Sequence, residues 1–160
     1  MAVTTHILAT YRGPGRVVRQ LIRQGQREDR LLAYLMAACL MMFAGQVPRI
    51  ARESHLFGSD LSTHLQAAAL GWLLMAPLAI YLIAPISRLI GMALGGQGSW
   101  FGARLALIWA LLAACPLFLL VGLVAGFIGP GPAFDIVGLA WLAVFAWFWI
   151  AGAVGQERAE

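Results

Sequence analysis

The chain has 160 residues, 61% of them hydrophobic and only 11% charged, with a formal net charge of +4. A soluble domain carries about 25% charged residues, so these side chains are too apolar to cover a water-facing surface and lipid is the expected solvent. One compact helical bundle is what this length accommodates, and because every basic residue is an arginine, the positions of the arginines organise the reading.

About thirty mostly polar residues come first, which makes an uncleaved first span the expected targeting signal rather than a cleaved leader. Within them, residues 14–27 read as an amphipathic helix. Val17, Val18, Leu21 and Ile22 fall on one side at a 3.6-residue period, and Arg16, Arg19, Gln20, Arg23, Gln24 and Arg27 fall on the other. Pro14 suits the first turn, where its missing donor costs little, and Gly25 suits the end. Such a helix is expected to lie in the membrane interface. Arg16, Arg19, Arg23 and Arg27 would then face anionic headgroups, each worth about 1 kcal/mol near the surface. A solvated helix capping the bundle is the plainer alternative.

A helix needs about 20 apolar residues to cross roughly 30 Å of hydrocarbon. Four runs without Asp, Glu, Lys or Arg qualify: 31–48, 65–86, 105–128 and 136–154. They are continuously apolar instead of alternating, which favours helices over the strands of a barrel. The first is the shortest and Gln46 makes its end polar, so it is expected to begin before Leu31 or to stand upright. The predicted fold is an all-α integral membrane four-helix bundle with an N-terminal interfacial amphipathic helix. Its parts are a leader (1–30), a four-span membrane domain (31–154) and a tail (155–160). Arginines 12, 16, 19, 23, 27, 30, 88, 104 and 158 fall on one side of these spans and only Arg49 and Arg52 on the other. That bias puts both termini in the cytoplasm.

Pro77 and Pro116 fall near the middle of the second and third spans, where proline removes one backbone hydrogen bond, so kinks are expected near Leu73 and Leu112. Ionisable groups at depth usually mark ion or proton pathways, and the four runs have none. This argues against proton-coupled transport, intramembrane aspartyl chemistry and metal catalysis. Gln46, Gln66 and Cys115 remain as interhelical or interfacial polar groups, and Cys39 and Cys115 read as buried thiols. In the outer loop, Asp60 and His64 would share a face if that turn is helical. With Glu53 and His55 they are too few and too loose for a tetrahedral metal site, and no metal is assigned. Gly122 and Gly126, like Gly91 and Gly95, have the spacing that lets helices approach closely, within the bundle in preference to a second copy. Trp141, Phe145, Phe148 and Trp149 form an aromatic stripe. With Trp147 they read as an interfacial belt that requires no cofactor.

The segment Gly95-Gly96-Gln97-Gly98-Ser99-Trp100 has the glycines of a phosphate-binding loop but neither the lysine after them nor the strand before them. A cytoplasmic connection anchored by Trp100 explains it. In order, Gly13-Pro14 and its basic helix, a second span with residues 78–86, this glycine-rich turn, and a third span carrying Ala114-Cys115-Pro116-Leu117 resemble the Yip (Ypt-interacting-protein) domain family in its short bacterial form. The resemblance implies a cytoplasmic N-terminus, a bacterial inner membrane as the location, and a non-enzymatic membrane-organising, adaptor or accessory-subunit protein. It transfers no catalytic residues. The family typically has five spans, where four are read here, and its eukaryotic members are linked to small GTPases and vesicle traffic. The expected partners are the bilayer, above all its anionic lipids, and a membrane protein or a second copy, with no nucleic acid. A small transporter or channel built on the proline-bearing second and third spans is the competing reading.

Overall fold

The computed structural model describes residues 3–25, 27–93, 96 and 98–157. Every regular element among them is helical: α1 (Val3–Thr10), α2 (Pro14–Arg23), α3 (Glu28–Phe57), α4 (Leu61–Leu70), α5 (Ala76–Ala93), α6 (Trp100–Phe127) and α7 (Pro132–Glu157). One wide π turn, Gly71–Met75, joins α4 to α5. Four helical units are long and apolar enough to cross a membrane: Glu28–Phe57, Leu61–Ala93, Trp100–Phe127 and Pro132–Gln156. The fold is thus an all-α bundle of four span-length helices.

The third of these, α6, is the axis of the bundle. Its most apolar stretch is 67% buried, against 11% for the second and fourth spans. Small residues explain this position, because Gly102, Ala103, Ala106, Ala110, Ala113 and Ala114 let neighbouring backbones approach from several sides. The outer spans turn large apolar side chains outward instead, among them Leu74, Leu78 and Leu82 on one and Ile136, Leu139 and Leu142 on the other. Lipid tails solvate such surface as well as a protein core does.

The closest seam lies between α3 and α6. Gly122 sits so near the backbone of Gly45 that a Cβ there would overlap the Gly45 carbonyl oxygen, and one turn later a Cβ on Gly126 would stand 2.5 Å from Pro48 Cβ. This seam accounts for the first departure from the sequence reading. The first span does not stop at Pro48: α3 starts at Glu28 and runs through Pro48 to Phe57, because its α6-facing stripe of Gly45, Pro48 and Arg52 stays in contact with α6 and the turn beyond it. Glu53 and His55 therefore lie on α3 and His64 on α4, and only residues 58–60 form the connection.

That short turn is built from two local devices. Gly58 takes the left-handed conformation (φ 62°) while its N–H and that of Ser59 donate to the Ser54 carbonyl, a common helix ending. Asp60 then caps α4, its carboxylate accepting from the backbone N–H groups of Ser62 and Thr63 and from both hydroxyls. These donors hold the Asp60 carboxyl down, to about 2. A depressed carboxylate contributes its stabilisation above the ordinary carboxylate range and loses it as the pH falls through its folded value. Protection of the Ser62 and Thr63 amides, taken relative to their intrinsic exchange rates, is accordingly expected to hold down to about pH 4 and to fall towards about pH 2. Asp60→Asn, which also caps well, is expected to abolish this pH dependence.

At Pro77 the helix does not break. The preceding turn widens, with the Ala76 N–H donating to the carbonyl of Gly71, five residues back, which makes room for a ring that would collide with the carbonyl of Leu73. Around Pro116, α6 is continuous. Pro85 likewise lies inside α5.

Candidate membrane-surface site

The leader folds as two short helices laid against the bundle. α2 begins at Pro14 and ends at Arg23, four residues before the expected end, because the chain turns at Gln24 and Gly25, where φ is 100°. Arg27 is thereby removed from α2, and it stands in extended conformation immediately before α3.

The apolar face of α2 is not free to enter lipid. Pro14, Val17, Val18 and Leu21 are buried against α6 and α7. The approach is close enough that a Cβ on Gly155 would stand 2.7 Å from Gly15 Cα, and one on Gly15 would stand 2.8 Å from the Ala151 carbonyl oxygen. Val18 fits beside Gly152 and Ala106. The helix is amphipathic as its sequence requires, but the bundle covers its apolar side and only the arginine face is left for the surroundings.

Arg16, Arg19, Gln20 and Arg23 line a shallow concavity of about 350 Å³. Arg16 and Arg23 are exposed and Arg19 is half-exposed, its Nε donating to the Gly15 carbonyl at 3.2 Å. No ion pair among the described residues engages these three arginines, whereas nearby Arg104 is paired with Glu28. A row of cations with no counter-charge among the described residues attracts phosphate groups.

The preceding segment escaped the sequence reading. Thr10 is fully buried, donating its hydroxyl to the His6 carbonyl at 2.7 Å and accepting from Trp109 Nε1 at 3.0 Å. The Tyr11 hydroxyl donates to the Ala113 carbonyl at 3.1 Å, and its ring meets Phe148 edge-on. Ala113 is about 20 Å along α6 from Trp100 at 1.5 Å per residue, so the leader reaches the middle of the bundle. The available signal was His6, Ile7, Thr10 and Tyr11 on one helical face, within an element too short to show a clear period.

The other sequence-derived residues are spread through the fold. Gly122 and Gly126 belong to the α3–α6 seam, and Pro77 and Pro116 lie on separate spans. Cys39 and Cys115 are both buried free thiols, and the Cys115 thiol donates to the Leu111 carbonyl. Trp141, Phe145 and Trp149 stack along α7, while Phe148 turns inward towards Tyr11. Gly95, Gln97 and Arg158 lie outside the described residues. Among the described residues no three of His, Cys, Asp and Glu come together. No family model, curated protein or solved structure matches the chain.

Proposed function

We propose that this protein is a non-enzymatic, multi-pass protein of the bacterial inner membrane with both termini in the cytoplasm. It acts as a membrane-organising, adaptor or accessory subunit and engages anionic lipid through Arg16, Arg19 and Arg23, with Arg27 beside them. The observation that carries this reading is the division of α2, whose apolar side is held by α6 and α7 while Arg16 and Arg23 stay exposed and Arg19 half-exposed, with no acidic partner among the described residues. The resemblance to the Yip domain supports the same class of role. The nine-to-two distribution of arginines supports the orientation.

The test is binding of the reconstituted protein to vesicles with and without phosphatidylglycerol. Arg16, Arg19 and Arg23 near a charged surface contribute about 1 kcal/mol each. Replacing Arg16, Arg19 and Arg23 together by glutamine is expected to weaken association with anionic vesicles by about 100-fold, and to remove its salt sensitivity. Equal binding by wild type and variant would rule out the α2 site. The π turn before Pro77 favours a second reading, since such turns recur at functional sites: a small transporter. Solute flux into sealed vesicles that is lost when the turn is altered, here by Gly71→Leu, would establish that alternative instead.

A further inference from the structure

At the end of the bundle away from α2, the α3–α6 seam runs past the last turn of α6. α6 closes with the N–H groups of Ile128 and Gly129 both donating to the Val124 carbonyl, and Gly129 is in the left-handed conformation (φ 93°). Arg52 completes this ending. Its Nη1 donates to the carbonyls of Gly126 at 3.2 Å and Phe127 at 3.1 Å, acceptors that a helix C-terminus leaves open. Its Nη2 lies so close to Gly129 that a Cβ there would stand 2.8 Å away. Arg52 Nε is buried without a hydrogen-bond partner.

Beside this guanidinium is a groove of about 480 Å³, within the roughly 300–1,000 Å³ typical of ligand sites. Its walls are apolar, formed by Leu56 and Phe57 of α3, Ala125 of α6, and Pro130 and Phe134 where α7 begins. Its rim carries Arg49, Arg52 and Glu53. Glu53 is the one acid among the described residues that line it, and it is already held by Arg49 Nε at 2.8 Å. No carboxylate among the described residues pairs with Arg52, so the rim keeps one net positive charge above an apolar slot.

That combination selects an amphiphile. A free anion would leave the slot empty, and a neutral lipid would leave the cation without a counter-charge. The position agrees, because the arginines stand where the charge-free parts of α3 and α6 end, at the boundary between hydrocarbon and headgroups. Leu56 (61% exposed) and Phe57 (81%) extend the apolar wall past that level. We propose that this groove binds one anionic phospholipid of the leaflet opposite α2, its phosphodiester at Arg52 and Arg49 and the first part of one acyl chain along Leu56, Ala125 and Phe134. The site is separate from the α2 arginines and does not depend on them.

The experiment uses the full chain in mild detergent, carrying Arg16→Gln, Arg19→Gln and Arg23→Gln so that the α2 face contributes nothing. Native mass spectrometry counts retained dioctanoyl phosphatidylglycerol, with phosphatidylcholine of the same chain length and glycerol phosphate as comparisons. One phosphatidylglycerol per chain is expected, with phosphatidylcholine at least about tenfold weaker and glycerol phosphate not retained. Arg52→Gln is expected to weaken retention by at least about tenfold. Because Arg52 also caps α6, Leu56→Glu provides the second variant: it places a negative charge on an exposed wall residue and is expected to cause the same loss in a fully folded protein. Retention of phosphatidylcholine equal to phosphatidylglycerol, equal retention of glycerol phosphate, or undiminished binding in Leu56→Glu would each overturn the proposal.

Discussion

Alanine at position 122 is expected to lower the melting temperature of the detergent-solubilised protein by about 5–10 °C. The expectation follows from what the added methyl meets. At Gly122 it is the carbonyl group of Gly45, which is backbone in the middle of a continuous helix and cannot swing aside like a side chain. The two helices must therefore separate, and overpacking of this kind typically costs about 1–3 kcal/mol. The cost is raised because α3 and α6 share most of the interior: Leu35, Ala38, Cys39 and Met42 on one side and Leu105, Ile108, Leu112 and Cys115 on the other. Gly126→Ala is expected to cost less, since its nearest neighbour is the Pro48 ring carbon at 2.5 Å. Gly138→Ala is the control: nothing lies within 4 Å of a Cβ there, and alanine is the better helix former by about 1 kcal/mol. A thermal series in which all three variants melt together would show that the α3–α6 seam is not the tight crossing.

The four spans could be read because hydrocarbon imposes a strict rule: a charge left at depth is expensive, so charge-free runs mark helices. The ends of those helices could not be read by the same rule. Arg49 and Arg52 terminate a run without terminating α3, because Glu53 satisfies one and the last carbonyls of α6 satisfy the other. Pro77 was legible as a disturbance, but its form, a widened turn, depends on how the second span adjusts as a whole. The arginine face of α2 was legible residue by residue, except that Gly25 ends the helix early and leaves Arg27 outside it. What covers the apolar face was not legible. Val17, Val18 and Leu21 have the same pattern whether lipid or protein receives them, and the deciding contact, Gly15 on Gly155, joins residues at opposite ends of the chain.

Valine at position 10 is expected to destabilise the protein by about 1–3 kcal/mol, because it keeps the shape of threonine and removes only the hydroxyl. Thr10 Oγ1 is the acceptor for Trp109 Nε1, and Trp109 is itself fully buried, so the variant strands an indole N–H with no water to replace the lost partner. Serine retains the hydroxyl and is expected to restore most of the stability. Tyr11→Phe, which gives up only the bond to the Ala113 carbonyl, is expected to cost about 1 kcal/mol. The measurement pairs thermal unfolding with amide exchange in α2. If α1 is an integral layer of the bundle, Thr10→Val lowers the melting temperature and speeds exchange together. If it is only a tether, exchange in α2 rises while the melting temperature stays put. No change in either would contradict the buried Thr10–Trp109 bond. The result bears on function because the leader helps to fix the direction in which Arg16, Arg19 and Arg23 point. A loosened leader keeps all three charges but no longer presents them as one surface, so Thr10→Val should weaken anionic-vesicle binding by less than the triple glutamine variant does.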